Sequence, residues 1–185
     1  MDTEQLLRRY QPVNEQEARD REMMLRFLAE QPDVYRRDNP LVHFTASAWI
    51  VSPDRQWILL IFHNQYQSWS WTGGHADGET DLAAVAQREA REETGLAELR
   101  PLGGLASLEL LPVPGHFKRG RWVATHLHAN LTWLLEADRD APLRARPEEN
   151  GGVRWFPAAT ALAASSEPWL RDTVYRKLME RLRQL

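Results

Sequence analysis

Residues Gly73–Leu96 read GGHADGETDLAAVAQREAREETGL, a glycine-rich turn followed by one amphipathic helix. Asp81 or Thr80 can cap the helix start, because either side-chain oxygen accepts from an orphan N–H of the first turn. Gly95 supplies a left-handed stop and Leu96 a cover for the end. Neither proline nor glycine interrupts the span between them, and alanine is frequent. At about 100° per residue, Leu82, Val85, Ala86 and Ala90 form one apolar stripe. Glu89 and Glu93 fall on that same stripe and Glu92 flanks it, so the face is apolar first and acidic afterwards. Like charges at i, i+4 repel, and burying a carboxylate unpaired is costly. Acids on an inward face make sense if a positive group meets them, and a hard divalent cation with oxygen ligands is the simplest such group. The competing reading is a solvated helix end whose acids pair with Arg88 and Arg91.

The stretch resembles the signature of the Nudix hydrolases, G-x5-E-x7-R-E-U-x-E-E-x-G-U with U aliphatic. The motif glycine falls on Gly74, its R-E on Arg88 and Glu89, its E-E on Glu92 and Glu93, and its final G-U on Gly95 and Leu96. There are two departures. The early motif glutamate lands on Thr80, with Glu79 one place before it, and the middle aliphatic position is the small Ala90. Multi-point spacing of this kind is far more specific than a lone glycine motif.

The resemblance implies an α/β fold, the Nudix-type α/β/α sandwich with a mixed β-sheet, at 41–185; the N-terminal helical extension read at 1–40 lies outside that minimal fold. It further implies hydrolysis of a diphosphate linked to another moiety, usually a nucleoside, with Mg2+ or Mn2+. Carried over by position, Arg88, Glu89, Glu92 and Glu93 are the catalytic set. Gly74 through its carbonyl, Glu89, Glu92 and Glu93 are the metal ligands, with Glu149 of a distal loop as a further ligand or base. The expected partner is a small-molecule diphosphate.

Composition narrows the function classes. The chain has 185 residues, a net charge of −3 and a sequence pI of about 6.1, which gives no electrostatic footprint for duplex nucleic acid. It has no cysteine, so disulfides, thiolate metal sites and cysteine nucleophiles are excluded. No run is long enough to span a membrane and the amino terminus lacks an apolar core, so a cytoplasmic location is expected.

Along the chain, residues 1–40 read as helical. Asn14 followed by Glu17 forms a capping-box-like start, and Gln31–Pro32 a stop. The methionines of this arm suit packing on the domain or on the second copy of a homodimer. From His43 to Val51 the residues alternate, with Phe44, Ala46, Ala48 and Ile50 on one face and His43, Thr45, Ser47 and Trp49 on the other. A turn at 52–55 and a second strand from Gln56 to His63 complete a hairpin. An aromatic-rich loop, Asn64 to Trp71, then feeds the glycine turn. A short strand is expected from Ser107 to Leu111, ending at Pro112, and a basic loop at 116–121. The longest strand is expected from Trp122 to Glu136, with His126, His128 and Asn130 on one face. A charged loop to Asn150, a strand from Gly152 to Phe156, a short helix opened by Pro157 and a last helix capped by Ser166 finish the chain.

Substrate contacts are sought among Trp69, Trp71, His75, His126, His128 and Arg121, since aromatics stack on bases and basic groups hold phosphate. The alternative for Trp69 and Trp71 is packing on the sheet. His126 and His128 also suggest a zinc pair, without thiolates or an evident third partner. Two other functions compete. A non-catalytic Nudix-fold ligand sensor would be expected to carry damaged acids, which are intact here. An isopentenyl-diphosphate isomerase relative resembles a scheme using a catalytic cysteine, which is missing.

Overall fold

The computed structural model describes residues 2–118 and 120–185. Two helices come first, α1 (Thr3–Arg9) and α2 (Glu15–Glu30). Asp2 caps the first by accepting from Gln5 N–H, and Asn14 caps the second by accepting from Glu17 N–H at 2.9 Å. The Glu17 carboxylate, which a capping box would return to the cap residue itself, reaches Val13 N–H instead, at 2.9 Å.

The sheet is built on β1 (Val42–Val51), every residue of which is buried. Its edges are shared among three neighbours. β8 (His126–Glu136) runs parallel to it along its whole length, with His43 opposite His128 and Thr45 opposite Asn130. On the other edge, β2 (Trp57–His63) pairs antiparallel at Ile50 and Val51, and β4 (Thr72–His75) takes the rest, with Thr45 opposite His75 and Ala46 opposite Gly74. Further out, β2 pairs with β3 (Ser68–Ser70) and with β9 (Asn150–Pro157), while β8 pairs with β5 (Arg100–Val113). Pairing of this sort, parallel at the centre and antiparallel outward, gives a mixed sheet.

Alternation along β1 divides the interior into two cores. Phe44, Ala46, Ala48 and Ile50 join Leu82, Val85, Ala86 and Ala90 of α3 (Leu82–Thr94). Leu7 of α1, Tyr10 just past its end, and Met24 and Phe27 of α2 extend the same cluster. Full burial of aliphatic side chains such as Leu82 and Val85 stabilises by about 1.5–3 kcal/mol each. On the opposite face, Trp49, Val51, Ile58 and Leu60 pack on the C-terminal helix through Val174, Tyr175, Leu178 and Leu182. The result is helix, sheet, helix.

Several expected elements differ. The loop 64–71 contains β3, because Ser68–Ser70 turns back to pair with β2. β5 runs from Arg100 through Pro112 to Val113 and is the longest strand. Register shifts between Pro101 and Leu105 and between Leu105 and Ser107 let it continue past Gly103 and Gly104. The expected strand from Trp122 is broken into β7 (Arg121–Val123) and β8. β7 folds back on β6 (His116–Lys118), so the basic loop is a small hairpin, and Arg119 lies outside the described residues. Pro157 ends β9 rather than opening a helix, and the short helix is a 3₁₀ turn at Ala161–Ala164. The final helix has a π-helical segment at Leu170–Tyr175 before α4 (Arg176–Leu182). At its start, Glu167 N–H meets the hydroxyl of Ser165, not Ser166.

Candidate active site

Local sequence positions the catalytic candidates first. Asp81 caps α3 through Ala84 N–H at 3.1 Å, and Gly95 ends it at φ 76°, a conformation a side chain would strain. Glu79, one place before the motif position, accepts from Thr80 N–H at 2.8 Å and from Asp81 N–H at 2.9 Å. It closes the turn that enters the helix.

The rest of α3 carries its acids as the helical wheel expects. Glu93 is 3% exposed and accepts from Gly73 N–H at 2.9 Å. Burial pushes its carboxyl up to about 8, opposed by that hydrogen bond. Glu89 lies directly on Gly74, where a Cβ would come within 2.6 Å of its Oε2, so only glycine admits this carboxylate against the strand. Its pKa is also raised, by burial first, while Arg88 lowers it through an ion pair at 2.8 Å. Glu92 is half-exposed and held between Arg88 at 3.8 Å and Arg146 at 2.5 Å.

The distal loop is drawn to the same place. Asn150 Nδ2 donates to the Glu93 carbonyl at 2.9 Å, and Arg144 N–H to the Thr94 carbonyl at 2.7 Å. These bonds satisfy carbonyls at the end of α3 and hold the loop against it. Arg146 then bridges Glu92 and Glu149, the latter at 3.2 Å. Arg88, Glu89, Glu92, Glu93, Gly74 and Glu149 therefore form one neighbourhood. Four carboxylates face two arginines there, and among the described residues no cation lies within ion-pair distance of Glu93.

The substrate candidates divide. Trp71 packs in the second core against Tyr175, with ring centroids 5.3 Å apart, and is unavailable to a ligand. Trp69 sits among Phe62, Phe156 and Arg154 on the β2–β9 side, so sheet packing holds both tryptophans. Arg121 lies in β7 and, among the described residues, makes no ion pair with the acids of α3. His75, His126 and His128 do come together, joined by His43, which the sequence reading had placed on the right face of β1 but not among site residues. The signal was there: two polar strand faces, His43–Thr45–Ser47 and His126–His128–Asn130, that one parallel pairing merges. Asn130 Oδ1 accepts from Thr45 and Ser47 hydroxyls at 2.9 and 2.8 Å, which fixes that merged face. Arg146 was missed as well, and nothing local distinguishes it from other arginines of a charged loop.

The model of the NUDIX domain family matches residues 41–178. The chain belongs to the Nudix family. Members are pyrophosphohydrolases that act on nucleoside diphosphate derivatives and generally need a divalent metal. No curated protein matches the chain. Among solved structures, a C. elegans Ap4A hydrolase is similar at 17% identity and TM-score 0.54, covering 76% of this chain and 95% of its own. An E. coli dihydroneopterin triphosphate pyrophosphohydrolase is similar at 16% and 0.55, covering 80% and 99%. The MutT protein of Methanosarcina mazei is similar at 17% and 0.53, covering 76% and 92%. At these identities the likeness is one of fold, and it agrees with the α/β/α Nudix architecture. No helix of the described residues is long and apolar enough to cross a membrane.

Proposed function

We propose that this Nudix protein hydrolyses a diphosphate linkage in a nucleoside diphosphate derivative or related metabolite by attack of water on phosphorus. Glu89, Glu92, Glu93 and the Gly74 carbonyl would hold Mg2+ or Mn2+, with Glu149 within reach of the same ion. The observation that carries this reading is the burial of Glu93 beside Glu89 without an ion-pair partner among the described residues, against a strand whose glycine lets the carboxylates approach. Oxygen donors of this kind suit a hard divalent cation. When bound, such an ion offsets the charge of the diphosphate and acidifies coordinated water.

The remaining work falls to side chains. Arg88 keeps Glu89 turned toward β4 and limits repulsion between neighbouring acids. Gly73 N–H orients Glu93. The proton of the attacking water passes to a carboxylate of Glu92, Glu93 or the distal loop, whose Glu149 shares Arg146 with Glu92. The test is a hydrolysis panel with Mg2+ and Mn2+, containing Ap4A, dihydroneopterin triphosphate, nucleotide sugars and nucleoside triphosphates. Metal-dependent release of phosphate or a mononucleotide from one of them is expected. A folded protein inert on the whole panel would reject the reading.

A further inference from the structure

On the other side of the same strand lies a second cluster of donors. Glu89 meets β4 at Gly74, and the next residue, His75, points across the sheet to His43 of β1 and His128 of β8. One imidazole nitrogen from each of these three residues lies within 4.8 Å of the other two. Ring centroids are 4.8 Å apart for His43–His128, 5.1 Å for His43–His75 and 5.0 Å for His75–His128.

His43 shows what the cluster lacks. It is 2% exposed, and its Nδ1 faces the Asn39 carbonyl at 3.3 Å. A carbonyl only accepts, so Nδ1 carries the proton and Nε2 carries a lone pair. That Nε2 is buried and has no hydrogen-bond partner among the described residues. A buried acceptor left unmade costs about 1–3 kcal/mol. An imidazole whose far nitrogen donates to a backbone carbonyl is the usual outer support of a metal-ligating histidine. His126 stacks on His43 at 5.0 Å and closes the side of the cluster, its own Nδ1 facing the Ala124 carbonyl at 2.8 Å.

We infer that His43, His75 and His128 form a three-histidine site for a zinc-class transition-metal ion, distinct from the carboxylate site across β4. Donor type separates the two: imidazole suits zinc and its neighbours, while carboxylate and carbonyl oxygens suit Mg2+ and Mn2+. Zn–N bonds of about 2.0–2.1 Å require the nitrogens to draw in by about an ångström, which half-buried His75 and His128 can supply by ring rotation. Three protein ligands leave a fourth position for water or an anionic oxygen. The imidazole site stands whether or not the acids of α3 hydrolyse anything.

The experiment titrates the chelator-stripped full chain with Zn2+ against a chromophoric chelator, and with Co2+ followed by visible absorption. One equivalent of Zn2+ per chain is expected, together with the intense tetrahedral absorption of Co2+. His43→Ala and His128→Gln should each weaken Zn2+ binding about tenfold or more, while Glu89→Gln and Glu93→Gln leave it unchanged. Circular dichroism checks folding, and the half-buried His128 serves if the His43 variant fails to fold. Absence of stoichiometric uptake by the wild type would overturn the site. So would uptake that survives the histidine variants and disappears in the glutamate ones.

Discussion

Two groups of buried glutamates in this protein make an instructive contrast. Glu17 of α2 and Glu109 of β5 are both fully buried, and Lys177 of α4 meets each of them at 2.8 Å. Tyr10 donates to Glu17 at 2.8 Å, and the single O–H of Ser107 lies between the two carboxylates, in reach of either. Lys177 gives that cluster its own cation, although Glu109 Oε2 is buried without a hydrogen-bond partner among the described residues, and the cluster ties the N-terminal helices to the sheet and the last helix. Glu93 of α3 is buried and Glu89 half-buried beside Gly73 and Gly74, with far less. Glu89 has Arg88, and Glu93 has one backbone N–H. A buried carboxylate with its own cation is a fastening. Glu93, buried with no ion-pair partner among the described residues, is held either as the neutral acid or as the ligand of a cation from solution.

The comparison breaks most sharply at Glu93. Glu93→Gln should lower metal-dependent turnover by more than the roughly 100-fold that loss of an outer-shell partner costs, with the fold retained by circular dichroism. Undiminished turnover would move the ion elsewhere. Next in size is Lys177→Met, which takes the ion-pair cation from buried Glu109 and leaves Glu17 only Arg181, at 3.9 Å. It should destabilise by about 3–5 kcal/mol in denaturant unfolding. A loss under about 1 kcal/mol would show that the cluster is not the fastening described.

Acidity sharpens the contrast further. Without a divalent ion, the Glu93 carboxyl titrates near 8 in the folded chain and near 4.5 when unfolded. Over that window the unfolded chain has released a proton the folded one retains, so stability falls as pH rises. The slope is at most about 1.4 kcal/mol per pH unit. Thermal unfolding in chelator should therefore give a lower Tm at pH 8 than at pH 5.5. Glu93→Gln should flatten the difference, since an amide does not titrate. The smallest effect is expected at Tyr10→Phe, which removes one hydroxyl from Glu17 and should cost about 1 kcal/mol while activity is kept.

What the sequence revealed followed how local each feature is. The caps and faces of α3, and the two faces of β1, depend on residues a few places apart, and they stand as read. β3, the full length of β5 and the β6–β7 hairpin are defined by partners far along the chain, so propensity alone understated them. Pro112 looked like a strand end, yet β5 carries it opposite Leu127 and runs on. Trp71 looked like a stacking platform because it precedes the glycine turn, but Tyr175, 104 residues further along the chain, claims it for the core. Glu149 was within reach of prediction because family resemblance marks such a loop. Arg146 and the Asn150 tether, which bring that loop to the helix, appear only in three dimensions. His43, His75 and His128 come from three separate strands, so no spacing rule joins them.

The most direct test of the contrast is Mn2+ binding to the chelator-stripped protein, followed by electron paramagnetic resonance of the free ion. The account predicts saturable binding to the wild type and to Lys177→Met, if that variant is folded, and loss of binding in Glu89→Gln and Glu93→Gln. Equal Mn2+ binding by wild type and both glutamine variants would contradict it.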